Sequence, residues 1–379
     1  MKGHRIIISG GGTGGHIFPA LSIADAVKSL SPESEILFVG AQGKMEMQKV
    51  PQAGYLIEGL PVAGLQRKLS VKNLTLPFKI LKSLEMAGKI IDSFKPDIAV
   101  GVGGYASAPL LWKAAAKGIP CLIQEQNSYA GLTNKMLGKK ATLICTAYEG
   151  MERFFPKDKI LHTGNPIRKG ITPPTAEERS VAIRYFGLDP NKKTIALVGG
   201  SLGCGTFNRI MRKFTAERKE SDFQILWQSG GAGSAVTEDF FRSLPGSVIN
   251  DDFRRYGNVI NTDFITRMDL AFAAADLMVS RAGAGTISEL CVVGKPTIFV
   301  PSPIVAEDHQ THNAKALVAK NAALMVSDAD ADSQLTDLME KTIHNPSLLE
   351  SLSKNILPLA KPDAAVTIAE KIFEIIGKK

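Results

Sequence analysis

Two segments of this 379-residue sequence gather glycine where a β-rich run gives way to a helical one: Ile6–Gly15 (IIISGGGTGG) and Ala196–Gly205 (ALVGGSLGCG). Glycine lacks Cβ, so its backbone can approach a ligand closely, and amide N–H groups at a helix N-terminus attract phosphate. One such turn in each half predicts two phosphorylated ligands, or one that both turns grip. Gly10–Gly15 also satisfies the dinucleotide pattern GxGxxG. A dehydrogenase, however, needs an acid about 20 residues further on to hold the ribose. Here that strand reads FVGAQGK, with Gly40 in the acid's place, so nicotinamide chemistry is not expected.

His16 directly follows the first turn. An imidazole of pKa about 6.5 suits proton removal from a hydroxyl, and it suits equally a hydrogen bond to a ligand phosphate. Glu125-Gln126-Asn127 closes another strand, which makes Glu125 the alternative base and Asn127 a candidate for substrate hydroxyls. Arg281–Glu289 (RAGAGTISE) is a third glycine turn at a helix start. Glu289 could accept hydrogen bonds from a ribose diol, or simply favour the helix dipole. His309 and His312 with Glu307 and Asp308 resemble a metal cluster on paper, but no third well-spaced ligand set accompanies them. No metal is expected there. Asp308 reads instead as an N-cap, leaving His309 and Gln310 to meet a polar ligand such as a sugar. The doubled DxD at Asp328–Asp332 precedes a helical pattern and reads as capping and solvation.

These residues need a scaffold that delivers them to strand ends. Arg5–Ser9, Ile36–Val39, Ile98–Val102, Cys121–Gln124 and Leu143–Thr146 read as strands, separated by helical stretches such as Pro19–Leu30 and Trp112–Lys117. TGNPIRKGITPPT from Thr163 breaks the pattern as a hinge, after which Thr194–Val198, Ile225–Gln228, Leu277–Val279 and Thr297–Val300 restart it. Such alternation predicts α/β architecture with doubly wound parallel sheets. Pro96–Gly104 (PDIAVGVGG) also matches Ala275–Gly283 (ADLMVSRAG), so the halves read as diverged copies facing a ligand cleft. The expected domains are 1–165, 166–358 and a C-terminal helix, 359–379, packing back on the first. No cofactor is implied.

Composition narrows the setting. Four well-separated cysteines without a CxxC pair suit a reducing compartment, and the N-terminus lacks the apolar run of a signal peptide. The net charge is +8, and residues 66–95 carry +5 of it: Arg67, Lys68, Lys72, Lys79, Lys82, Lys89 and Lys95 against Glu85 and Asp92. Leu74, Leu76, Phe78, Ile80 and Leu81 share this stretch without a nucleic-acid-binding module. An anionic lipid surface on the cytoplasmic face of the membrane is therefore the expected partner, an amphipathic helix packed on the sheet being the alternative reading of the stretch, and nucleic acid is not expected.

Seven motifs in order carry a resemblance along the whole chain: GGTGGH at 11–16, GGYAS at 103–107, EQN at 125–127 with AGLTNK at 130–135, TGNPIR at 163–168, GGS at 199–201, RAG..T.SE at 281–289 and HQ..NA at 309–314. The chain resembles the MurG family, the bacterial peptidoglycan N-acetylglucosaminyltransferases. The resemblance implies a GT-B fold and metal-independent, inverting transfer from UDP-N-acetylglucosamine to the muramoyl 4-hydroxyl of lipid I, giving lipid II. It places Thr13, Gly14, Gly15 and Asn127 at the donor's sugar side or the acceptor. Arg168 and Ser201 would meet the diphosphate, and the backbone of Ile265 would read uracil. Ala284, Gly285, Thr286, Ile287, Ser288 and Glu289 would enclose the nucleotide, Glu289 on ribose, with Gln310 on the hexose hydroxyls. The turn GGSLGC departs from the family's frequent Gln and Ala at Leu202 and Cys204, which touches any side-chain contact from position 202. Another GT-B enzyme, such as a glycolipid glycosyltransferase or UDP-N-acetylglucosamine 2-epimerase, or a nucleotide-sugar-binding regulator without turnover, would share the donor cradle.

Overall fold

The computed structural model describes residues 3–62, 76–200, 203–218 and 220–378. Ser201 and residues 66–75 of the basic stretch lie outside the described residues. Two compact units emerge, Met1–Lys169 with Lys361–Lys379, and Gly170–Ala360.

The first unit has seven parallel strands: β1 (Arg5–Ser9), β2 (Glu35–Ala41), β3 (Leu56–Leu60), β4 (Ile98–Gly101), β5 (Cys121–Glu125), β6 (Leu143–Thr146) and β7 (Ile160–His162). Their order is β3-β2-β1-β4-β5-β6-β7. The isoleucines of β1 point alternately to two buried layers: Ile7 into one, Ile6 and Ile8 into the other. A strand covered on both faces reads as a continuous apolar run, which is why Ile6-Ile7-Ile8 shows no alternation. The helix after β1, Gly14–Leu30, starts well before the apolar run at Pro19 and carries that proline inside. It does so at the cost of the backbone bond Pro19 cannot donate to Gly15. The final helix, Ala364–Gly377, packs on Gly14–Leu30, with Ile368, Ala369, Ile372 and Ile376 in the same apolar layer as Ile6 and Ile8.

The second unit contains β8 (Lys193–Val198), β9 (Phe223–Gln228), β10 (Val248–Ile249), β11 (Arg254–Tyr256), β12 (Val259–Thr262), β13 (Leu277–Ser280), β14 (Thr297–Phe299) and β15 (Leu324–Met325), ordered β10-β11-β12-β9-β8-β13-β14-β15. The pairs β10–β11 and β11–β12 are antiparallel; the rest are parallel.

The segments matched between the halves occupy equivalent places. β1 lies beside β4, and β8 beside β13. Asp97 accepts the Arg5 backbone N–H at 2.9 Å, while Asp276 accepts that of Thr194 at 2.8 Å. In return, the N–H of each aspartate donates to the carbonyl of that residue, at 2.8 Å in both units. Each acid thus clamps the start of its neighbouring strand. Both pairs sit where strand order reverses, the point at which open α/β sheets bind ligands beyond the carboxyl ends.

Candidate active site

In the first unit the glycine turn runs from Gly10 into the helix at Gly14, with Thr13 exposed at the N-cap. Gly14 and Gly15 supply first-turn amides at the positive end of the helix dipole, an anion-favouring place. The Gly12 amide is already engaged. It donates to Glu46 Oε2 at 2.9 Å, and Glu46 Oε1 takes the Ala41 N–H at 2.9 Å. This part of the expected phosphate cradle is therefore filled by the protein's own carboxylate.

His16 is half-buried. Its Nδ1 lies 3.0 Å from the Gly11 carbonyl and 3.4 Å from Thr13 Oγ1. A carbonyl only accepts, so Nδ1 carries the proton and Nε2 is the basic nitrogen. The ring lies over Gly103 (φ +96°), where an added Cβ would come within 2.6 Å of Cδ2 and 2.8 Å of Nε2. Gly104 (φ +89°) likewise abuts the Gly11 carbonyl. The GGYAS motif is thus the second wall around His16.

Glu125 is buried to 1% exposure at the end of β5. Its Oε1 accepts from the Asn127 N–H (3.0 Å) and Nδ2 (3.4 Å), and its Oε2 from the Gly131 N–H (3.0 Å) and Asn134 Nδ2 (2.8 Å). Burial pushes its carboxyl up from the ordinary carboxylate range, against four donors that favour the ionised form. Both oxygens hold the loop from Asn127 to Asn134 in shape. Gln126 Nε2 donates to the Val102 carbonyl at 2.6 Å, tying this loop to the Gly103 turn. Half-buried Asn127 therefore stands on a braced strand end. Arg168 is exposed in the irregular segment after β7.

In the second unit, the turn after β8 leads through Gly200 (φ +85°) and Gly203 (φ +79°) to the helix Gly205–Glu217. Cys204, at the N-cap, accepts the Phe207 N–H on its sulfur at 3.4 Å. Ser201 lies outside the described residues. Gly203 packs against the Ser229 carbonyl, and the Ser229 N–H donates to Thr262 O at 3.0 Å. The glycine turn is thereby linked to the loop carrying Ile265, whose side chain is buried. Ala284, Gly285, Thr286, Ile287, Ser288 and Glu289 form the first turns of the helix Ala284–Val293. Ala284 and Ile287 turn their side chains inward, so only their backbone could serve a ligand. Glu289 is buried, and Gln310 Oε1 accepts the Ser302 N–H at 2.9 Å.

Two acidic motifs resolve differently from the sequence expectation. Asp308 occupies the N-cap of His309–Val318 in a left-handed conformation (φ 50°), beside Glu307 at φ 54°. Its Oδ1 accepts from the Thr311 hydroxyl at 2.6 Å and makes no backbone cap. Asp330 also lacks a side-chain cap bond and binds the Ser327 hydroxyl at 2.6 Å. Asp328 and Asp332 are not merely solvated: Asp328 meets Arg281 at 2.6 Å and the Thr206 hydroxyl at 2.9 Å, and Asp332 meets Arg209 at 2.7 Å.

The basic apolar stretch divides along one helix, Leu76–Phe94. Ala87, Ile90 and Ile91 are buried in the sheet-covering layer. Phe78 is 76% exposed and Leu81 65%, with Ile80, Lys79 and Lys82 also exposed between and beside them. No helix among the described residues is long and apolar enough to cross a membrane.

Residues 6–146 match the glycosyltransferase family 28 N-terminal domain, and residues 194–368 match the glycosyltransferase family 28 C-terminal domain. A protein of Parabacteroides distasonis is 53% identical over 379 residues, covering all of both chains. One from Phocaeicola vulgatus is 56% identical, covering 99% of this chain and 97% of its own. Both are named UDP-N-acetylglucosamine–N-acetylmuramyl-(pentapeptide) pyrophosphoryl-undecaprenol N-acetylglucosamine transferase. Among solved structures, Acinetobacter baumannii MurG superposes with a TM-score of 0.77 at 27% identity, over 98% of this chain and 99% of that one. A UDP-N-acetylglucosamine 2-epimerase shares the fold at 14% identity and a TM-score of 0.63, over 100% of this chain and 98% of that one.

Proposed function

Because the chain belongs to glycosyltransferase family 28, we propose that it transfers N-acetylglucosamine from UDP-N-acetylglucosamine to the muramoyl 4-hydroxyl of lipid I, making lipid II for peptidoglycan. The observation that carries this reading is end-to-end identity above one half to transferases named for that activity. The fold alone would admit an epimerase.

The residues support an inverting displacement. The acceptor hydroxyl attacks C1 of the donor sugar, its C–O bond forming as the bond from C1 to the diphosphate breaks. UDP leaves with the electron pair. The hydroxyl proton passes to His16 Nε2, the nitrogen left basic by the Nδ1–Gly11 hydrogen bond. Glu125, with both oxygens occupied, shapes the loop that presents Asn127 to substrate hydroxyls. Charge growing on the diphosphate is met by Arg168, by Ser201 and by amides of the turn from Gly199 to Gly205, the kind of preorganised stabilisation that needs no metal. Glu289 takes the ribose, the Ile265 backbone the uracil and Gln310 the hexose. Thr13, Gly14 and Gly15 serve the donor's sugar side or the acceptor.

Phe78, Ile80 and Leu81 with Lys79 and Lys82 support peripheral docking on the anionic cytoplasmic leaflet, where a lipid-linked acceptor resides. The test is UDP release from UDP-N-acetylglucosamine with and without a lipid I analogue, in EDTA. Acceptor-dependent release under chelation supports the reading. Folded protein that releases no UDP, or that yields an epimerised sugar nucleotide instead, refutes it.

A further inference from the structure

Glu46 has no place in the motifs above, yet it is completely buried beside the first glycine turn. It opens the helix Glu46–Gln52, and its side chain passes over Gly40, where an added Cβ would lie 2.5 Å from Glu46 Cγ. The residue that stands where a dinucleotide enzyme keeps its ribose acid is thus glycine because another carboxylate needs the space. That carboxylate continues into the turn, abuts Gly11 and accepts the N–H groups of Gly12 and Ala41, each at 2.9 Å. Gly11 in turn offers its carbonyl to His16 Nδ1 at 3.0 Å.

We propose that Glu46 is a positioning residue for the transfer reaction: it braces the Gly11–Gly12 turn so that the Gly11 carbonyl holds His16 in its working tautomer and orientation. The proposal rests on the reading of His16 as the base. Its physical content is directional. The Gly12 N–H and Gly11 carbonyl belong to one turn, so anchoring the amide on a buried anion fixes where the carbonyl points. An internal carboxylate also occupies an amide that a phosphate would otherwise claim, which reserves the turn for orienting the base. Buried N–H groups facing a carboxylate are strongly held, and removing the acceptor leaves them unmatched.

Glu46→Gln is the informative change, because it keeps the volume and sets an amide N–H₂ against at least one backbone N–H. Misplacing a catalytic group by a fraction of an ångström costs about tenfold or more in rate. The expected result is a fall of about tenfold in kcat, with KM for UDP-N-acetylglucosamine within about twofold of the parent. In a His16→Ala background the same change should lower the residual rate by less than about twofold, since a residue acting through His16 has nothing further to lose. A merely structural role would produce the same fractional loss in both backgrounds. That outcome, or an unchanged kcat in Glu46→Gln alone, overturns the proposal. His16→Ala with undiminished kcat refutes the base assignment itself, and Glu46's role through it falls with that assignment.

Discussion

Arg281 and Asp328 form an ion pair of 2.6 Å beside the second glycine turn, with side chains only 15% and 22% exposed. Arg281 also donates to the carbonyls of Val300 (2.9 Å) and Pro301 (3.0 Å) and lies over the Phe207 ring at 5.3 Å. The pair ties the end of β13 to the loop after β14 and to the segment before the helix Ala331–Ile343. Asp328→Ala should therefore cost about 1–3 kcal/mol in urea unfolding by leaving a largely buried guanidinium short of an acceptor. Turnover of the purified variant should stay equally indifferent to EDTA. Metal-dependent activity appearing or disappearing with Asp328 would instead make it a ligand.

His16 and Glu125 can be separated by substitution. His16→Ala should lower kcat by about 10²–10⁴ while UDP still binds, the range typical of a lost general base. Glu125→Gln should destabilise by about 1–3 kcal/mol, because its amide N–H₂ opposes donors now satisfied by a carboxylate oxygen. Calorimetric UDP binding and denaturation curves on both variants decide the matter. Full activity in His16→Ala would move the base to Glu125.

Docking through the exposed end of the helix Leu76–Phe94 predicts a membrane-specific defect. Phe78→Ser with Leu81→Ser should weaken sedimentation with phosphatidylglycerol vesicles by at least about tenfold, as loss of two inserted apolar side chains requires. Turnover of a short-chain soluble acceptor should be retained. Equal vesicle binding by parent and variant would place the contact elsewhere.

Lys295 gives the fold a pH signature. Burial lowers its pKa from 10.5 to about 8, and its ammonium donates to the Ala275 carbonyl at 2.7 Å. Below pH 8 the group is charged in both folded and unfolded chains, and burying that charge opposes folding. Between about pH 8 and 10.5 the unfolded chain binds the extra proton, so this group's contribution to stability rises with pH, by about 3 kcal/mol across the window. Lys295→Met should flatten that rise relative to the parent in urea melts at stepped pH. Parallel pH dependences would show that Lys295 is not the source.

Much of the scaffold was legible because its βα turns are written in local residue types. Strands such as Arg5–Ser9 and Thr194–Val198 are buried apolar runs ending in glycine. β3, β7, β10, β11, β12 and β15 were not legible: β7 has three residues, Val248–Ile249 and Leu324–Met325 have two, and β11 reads Arg-Arg-Tyr, without an apolar run. The same contrast holds at the site. His16 and Asn127 sit on motifs, whereas Glu46 acts across 34 positions from Gly12 and has no periodic or spacing signal. Gly40 was the available clue, a missing side chain where a different fold family places an acid. The acidic run at Asp328–Asp332 misled for a related reason, since Arg281 and Arg209, its partners, are remote in sequence.

The helix Ala364–Gly377 completes the apolar layer of the unit that begins at the other end of the chain. A ribosome making this protein therefore finishes the second unit before the first can close its apolar layer. Until then Ile6 and Ile8 wait beneath an incomplete cover. A stop codon that removes only this terminal helix would be felt in the half synthesised first.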